Sequence, residues 1–335
     1  MTQIPKPPPL FRTLSSEKYH SEMLSRTFNG RNTKKSPKEE EGCSRGGGDS
    51  HTHPTLRELV RSSIEVMGEG GLGISEKVVL LDGAVYAGKR FRKVTVSRGE
   101  FGSRIERLAR VSRRSEYLVP VRAYVYTKRI KLLLSDYYPM GSLSDLLLGG
   151  RELGHTPLDW DQRLNIVLHV ARGIAFIHAQ SPLQEKNIQM NVHGNIKASN
   201  ILIKTDFSAC VSDYGFVQLA EPAEVLGIWQ LKLPPETVNF AEKLTQKCDI
   251  YNFGVIVLDM LGGSKAPFLI SCILERKEGI KEGVIEFFEF FVKERERKQA
   301  LQVLDIALAC TNRSPEARPS IDQILLFLED ILSNR

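Results

Sequence analysis

The sequence predicts an α+β protein in which a small β-rich part precedes a larger helical part. Three observations carry this. Val78-Val79-Leu80-Leu81 and Ala84-Val85-Tyr86-Ala87 are strand-like runs joined by Asp82-Gly83, a dipeptide that closes hairpins. Tyr124-Val125-Tyr126 and Lys131-Leu132-Leu133-Leu134 add two more strands. Beyond Met140 the apolar residues return at helical spacing, over 164–178, 250–261, 302–310 and 321–331.

Along the chain, residues 1–55 stand apart. Pro5, Pro7, Pro8 and Pro9, the charge run Lys35 to Glu41 and Gly46-Gly47-Gly48 leave little apolar surface to offset the entropy of ordering, so a disordered Ser/Pro/basic tail is expected. Pro5-Lys6-Pro7-Pro8 fits a P-x-x-P adaptor ligand, but an unstructured leader is the favoured reading because short proline motifs are common by chance, and Ser15 and Ser36 are weak phosphorylation candidates. From Leu56 the pattern is that of a packed domain. Gly68-Glu69-Gly70-Gly71-Leu72-Gly73 is a G-x-G-x-x-G run lying between strand-like segments, and not before a helix, which argues against a Rossmann dinucleotide site. A helix is expected where Phe101, Ile105, Leu108, Ala109 and Val111 recur; it puts Arg107, Arg110 and Arg114 on one face. Val284, Phe287, Phe288 and Phe291 form an apolar stripe at helical spacing, expected to pack inside the larger part.

Composition narrows the class. The chain has 335 residues, 41% hydrophobic and 26% charged, which excludes wholesale disorder, collagen and coiled coil. No apolar run approaches the roughly 20 residues of a membrane span. The start lacks a secretory apolar core, and Thr2 stands where a myristoylation signal needs glycine. Five scattered cysteines without a C-x-x-C pair point to a reduced, cytoplasmic setting with no zinc site, and His51, His53, His155 and His169 form no ligand grouping. The net charge of +6 is uneven: residues 89–131 hold 14 basic and 3 acidic groups, a concentration that draws anionic partners. Nucleic acid is not expected, since no interleaved aromatics accompany the charge.

With Ala87-Gly88-Lys89 on the strand after the glycine loop, the sequence resembles a protein kinase. His193-Gly194-Asn195-Ile196-Lys197-Ala198-Ser199-Asn200 stands where the family has H-R-D-L-K-x-x-N, Asp213-Tyr214-Gly215 matches D-F-G, and Pro234-Pro235-Glu236 matches A-P-E. Leu158-Asp159-Trp160, Arg163, Ala171-Arg172-Gly173 and the run around Asp136-Tyr137-Tyr138-Pro139 are similar to plant receptor-like kinases of the leucine-rich-repeat type. The resemblance implies a two-lobed protein kinase-like fold over 56–335, with an N-lobe at 56–136, a hinge at 136–140 and a C-lobe at 141–335.

It also implies a site. Gly68, Gly70 and Gly73 would cover ATP phosphates, Lys89 would meet them, and Ala87 and Leu202 would sandwich the adenine beside Ser135, at the gatekeeper position, and Tyr137 in the hinge. Asn200 and Asp213 would hold Mg²⁺, and Lys197 would face the γ-phosphate. Glu236 with Arg318, and Asp249 with His193, are the implied structural anchors.

Three departures set this chain apart. Asn195 occupies the place of the carboxylate base, and an amide cannot take a proton near neutral pH; losing a general base costs about 10²–10⁴ in rate. The helical register puts Arg104 where the family has the glutamate that clamps Lys89, with Glu106 as a substitute if the register differs. Gly194 replaces the phosphate-reading Arg, and 216–236 contains no Ser, Thr or Tyr, leaving Tyr214 alone as a phosphorylation candidate near that segment. The expectation is a cytoplasmic pseudokinase that binds ATP and signals through protein contacts, with receptor-like kinases among its partners. Two alternatives stand beside it: a weak or atypical Ser/Thr kinase, and an adaptor at the plasma membrane whose Arg104, Arg107, Arg110 and Arg114 meet anionic lipid.

Overall fold

The computed structural model describes residues 24–27, 54, 56–154, 158–181, 189–220 and 245–333. The first lobe is an antiparallel sheet of β1 (Leu24–Thr27), β2 (Ser63–Gly70), β3 (Gly73–Val79), β4 (Val85–Phe91), β5 (Val121–Tyr126) and β6 (Lys131–Asp136), in the order β1-β5-β6-β4-β3-β2. The Asp-Gly hairpin closes as expected. Leu80 N–H donates to the Ala84 carbonyl at 2.9 Å, and Ala84 N–H donates to the Asp82 carboxylate at 3.0 Å. The strand β1 was not expected, because it falls within the segment 1–55 read as a disordered tail. It lies antiparallel on β5 and satisfies the open backbone groups of what would otherwise be an edge strand, a gain that composition does not register.

The pleat gives the sheet two apolar faces. On one, Val78, Leu80, Ala123, Val125, Leu132 and Leu134 form a cluster that takes in Leu59 of the short helix α1 (Leu56–Val60). The other receives α2 (Arg98–Ser112), capped by the Ser97 hydroxyl, which accepts the Glu100 N–H at 3.3 Å. Phe101 of α2 meets Phe91 and Tyr124 edge-on at 5.9 and 5.8 Å between ring centres.

The second lobe holds α3 (Leu143–Glu152), α4 (Trp160–His178), the hairpin β7 (Ile201–Ile203) and β8 (Ala209–Val211), α5 (Gln246–Gly262), α6 (Ile270–Glu275), α7 (Lys277–Lys281), α8 (Glu294–Cys310) and α9 (Ile321–Ser333). Asp159 and Gln162 cap α4 reciprocally, each side chain accepting the other's backbone N–H at 2.9 and 3.0 Å. Trp160 then stacks flat on Phe290 at 6.2 Å, and the buried Arg163 lies over the same ring at 4.2 Å while donating to Leu158 and to Glu289. The stripe 284–291 is not helical. The chain turns at Gly283 after α7, so Phe287 and Phe288 pack inward while Val284 and Phe291 are exposed. Residues 221–244, which include Glu236 and its implied pair with Arg318, lie outside the described residues. Among the described residues no helix is long and apolar enough to cross a membrane, and no His, Cys, Asp and Glu cluster could hold a metal ion.

Candidate functional site

Where the lobes meet, the loop before β7 rests on one carboxylate. Asp249, fully buried in the first turn of α5, accepts the N–H groups of His193 and Gly194 at 2.8 and 2.9 Å, with His178 Nε2 at 3.1 Å. The His193 ring is equally engaged. Its Nδ1 accepts the Asn195 N–H at 3.1 Å, which assigns the proton to Nε2, donating to the Ser212 carbonyl at 2.8 Å. Complete burial pushes the imidazole below its ordinary 6.5, so it is held neutral. Gly194 takes a φ of +76°, a conformation glycine adopts freely, where a longer side chain would add strain.

In front of this support, register places the sheet's contributions. Ser75 pairs with Lys89, Lys89 with Leu133, and Ala87 with Ser135, so Ser75, Ala87, Lys89 and Ser135 share one face of the sheet. Lys89 Nζ spans to Asp213 Oδ2 at 3.2 Å and to Ser75 Oγ at 3.2 Å, both acid and base about six-sevenths buried. Asp213 itself is left-handed, φ +59°. Lys197 stands near both: burial pushes its ammonium down, the Asp213 carboxylate opposes this, and the positive charge of Lys89 adds to it. Asp213 thus bonds Lys89 and also acts electrostatically on Lys197. A Cβ at Gly68 or Gly70 would meet nothing within 4 Å, and Gly68 lies opposite Ser75, the partner of Lys89 on the next strand. Leu202 on β7 is half-buried, and Tyr137 carries Lys77 over its ring at 5.4 Å. The Ser135 hydroxyl reaches the Ala87 carbonyl at 3.4 Å.

Helix α2 keeps the register the periodicity predicts, and Arg104 is the residue it turns inward. Its Nη1 donates to the Gln218 carbonyl at 2.6 Å, and its Nη2 pairs with Glu100 one turn back. Gln218 is held from the other side too, its amide bonding the Gln189 N–H and carbonyl at 2.6 and 2.8 Å. Thr95 N–H reaches the Leu219 carbonyl at 3.4 Å. The segment after Asp213 is therefore fastened to α2 and its lead-in. Gly215 allows this approach: with φ +73°, its Cβ would sit 2.6 Å from Leu108 of α2. Tyr214 is buried and donates its hydroxyl to the Met190 carbonyl, which removes it as a phosphorylation candidate. Arg104 leaves the basic face expected for membrane contact for the same reason, since only 6% of it is exposed.

A protein kinase domain model matches residues 61–326. The chain belongs to the protein kinase family. It is 34% identical over 296 residues to a probable inactive receptor kinase of Arabidopsis thaliana, a match covering 82% of this chain and 44% of that protein. A probable leucine-rich repeat receptor-like protein kinase of the same plant is 36% identical over 290 residues, with 82% and 42% covered. The chain spans less than half the length of these relatives. Among solved structures, the pseudokinase domain of BIR2, an immune regulator of the RLK/Pelle family, matches with a TM-score of 0.70 at 26% identity, over 86% of this chain and 88% of that one. The kinase domain of maize SIRK1 bound to AMP-PNP matches with a TM-score of 0.71 at 29% identity, over 85% and 98%.

Asn195, the residue expected at the base position, is 4% exposed. Its carbonyl accepts the Asn200 amide at 2.9 Å, its N–H is held by His193, and its own side-chain nitrogen is buried without a hydrogen-bond partner. The loop is thus held through its backbone, and its tip carries an amide. Sequence reasoning missed Gln218, the partner of Arg104, because a backbone carbonyl 114 residues away leaves no side-chain signature.

Proposed function

We propose that this domain is a pseudokinase: it holds ATP with Mg²⁺ between its lobes, signals through protein contacts, and is blocked in phosphoryl transfer at Asn195. The buried amide at the base position carries the reading. A side-chain amide cannot accept the proton that a substrate hydroxyl must lose. The relatives described as inactive receptor kinases and the pseudokinase neighbour support it.

For nucleotide, Lys89 and Lys197 supply positive charge for the phosphates, and the open backbone at Gly68 and Gly70 would cover them, with Gly73 letting the loop close on the Arg90 backbone. Ala87, Leu202, Ser135 and Tyr137 would surround the base. Asp213 and the amide oxygen of Asn200 are too few to hold a metal alone, which fits Mg²⁺, an ion that takes its remaining ligands from phosphates and water. When bound, Mg²⁺ would neutralise phosphate charge; Lys89 would exchange its bond to Asp213 for the nucleotide. We place the domain in the cytoplasm beside receptor-like kinases, its partners by family.

Thermal unfolding with and without Mg-ATP tests this. Binding at a hundredfold excess over Kd stabilises by about 2.7 kcal/mol. The expected result is a rise in Tm in the wild type that Lys89→Met abolishes, with no transfer of labelled phosphate. No shift would sink the nucleotide half of the reading, and transfer would sink the other. The weak-kinase alternative rests on the preserved Lys89–Asp213 pair and predicts that transfer.

A further inference from the structure

A second concave surface lies apart from the interlobe site. A cleft of about 760 Å³ is bounded by the end of α2, the loop that leaves it, β5, the hinge and the turn after β7. None of the residues assigned to nucleotide lines it. Its cations are Arg110, Arg113, Arg114, Arg122 and Lys204; Glu116 is its one carboxylate, and Tyr138 forms part of the wall.

Two of the cations are committed to the walls. Arg122 forks onto Asp136 at 2.6 and 2.7 Å, and Lys204 Nζ reaches the Glu116 carbonyl at 3.4 Å. Arg113 is steadied by its Nε, which donates to the Ala109 carbonyl at 3.0 Å. Though exposed, its guanidinium is pushed below its usual range, first by partial desolvation against the cleft wall and then by the charges of Arg122 and Arg110. Cations brought together in a cleft repel one another until an anion enters, and the planar guanidinium fork matches phosphate oxygens two at a time. The cleft also sits in the most basic stretch of the chain, 89–131.

The shape and the surroundings choose among anions. A bilayer presents a broad surface and is met by exposed apolar anchors beside the charge. Here the site is a cleft, and the large exposed apolar side chains of the described residues, such as Leu81, Leu153, Phe268 and Phe291, line other parts of the molecule. An extended peptide fits such a cleft, and a phosphomonoester brings about −1.5 to −2 charges to one point.

We propose that this cleft docks a phosphorylated segment of a partner protein, the phosphomonoester held by Arg113 and Arg114 with Arg110 beside them. The site reads a phosphate made elsewhere and needs no chemistry from this chain.

Fluorescence anisotropy on the full chain tests it, with two pools of labelled degenerate peptides, one carrying a single central phosphoserine or phosphotyrosine and one its unphosphorylated twin. The phosphorylated pool is expected to bind at least about tenfold tighter, to weaken as salt is raised, and to lose about tenfold in Arg113→Ser with Arg114→Ser. Both arginines are exposed, so that double variant keeps its fold, as Tm would verify. Lys89→Met is expected to bind the pool as the wild type does. Equal binding of the two pools, an unaffected double variant, or loss in Lys89→Met would each overturn the proposal. So would cosedimentation with phosphatidylcholine vesicles doped with phosphatidylserine that the double variant abolishes, if no peptide preference accompanies it.

Discussion

Behind the loop that carries Asn195 and in front of it, the molecule treats polar groups in opposite ways. Asp249 and His193, behind, have their hydrogen-bonding positions filled by backbone and side chains. In front, the Asn195 amide nitrogen and the Arg104 Nε are buried without a hydrogen-bond partner. The difference separates two demands on one loop. Holding its shape requires the rear contacts whatever the loop does, whereas the Asn195 amide nitrogen at the front makes no hydrogen bond. A fold can therefore keep the first set complete while the second changes.

The largest expected effect breaks the rear. Asp249→Ala leaves two backbone N–H groups unsatisfied and is expected to cost about 3–5 kcal/mol, read as a lower denaturant midpoint. A loss below about 1 kcal/mol would show that the rear is not the support described. Next comes the clamp on α2. Arg104→Met removes a charge-assisted bond to the Gln218 carbonyl but also an unpartnered nitrogen, so a smaller loss is expected, under about 3 kcal/mol. Protease nicking just after Gln218 should accelerate in that variant; unchanged nicking would mean that Arg104 does not fasten the segment.

Acid sharpens the contrast. The neutral His193 gains a proton more readily when unfolded, because its folded pKa lies below 6.5. Stability is then full above that value and falls as pH drops below it, while the unfolded chain alone takes up the proton. Protonating Nδ1 would also break the bond from Asn195. A Tm that holds steady from pH 7 to 5 would contradict this, with the buried-side pull on His169 acting in the same direction. The smallest effect is at the front: Asn195→Ala is expected to change stability by less than about 1 kcal/mol, since its amide nitrogen has no bond to lose.

Much of this arrangement was legible in the sequence, and the parts that were not share a cause. The Asp82-Gly83 hairpin, the inward register of Arg104 and the bonding of Asp249 to the loop follow from local pattern and from the kinase resemblance. Helix α3 escaped notice although Ser142 and Asp145 form a capping box, because Gly149-Gly150 interrupt its period. The stripe at 284–291 carried helical spacing without being a helix, since Gly283 turns the chain before it. The strand β1, the Gln218 carbonyl that Arg104 grips and the cleft joining Arg113 to Lys204 depend on pairings between segments far apart in the chain. One sequence holds no signal for such partners, least of all where the partner is backbone.

In the proposed pseudokinase, the block on phosphoryl transfer lies in front of an intact support. The measurement that tests it most directly is transfer from labelled Mg-ATP by the wild type, by Asn195→Asp, and by Asn195→Asp with Arg104→Glu. Silence in the wild type with a gain in Asn195→Asp, larger still when the glutamate is added, is the predicted result. Transfer by the wild-type chain that Lys89→Met abolishes would contradict it.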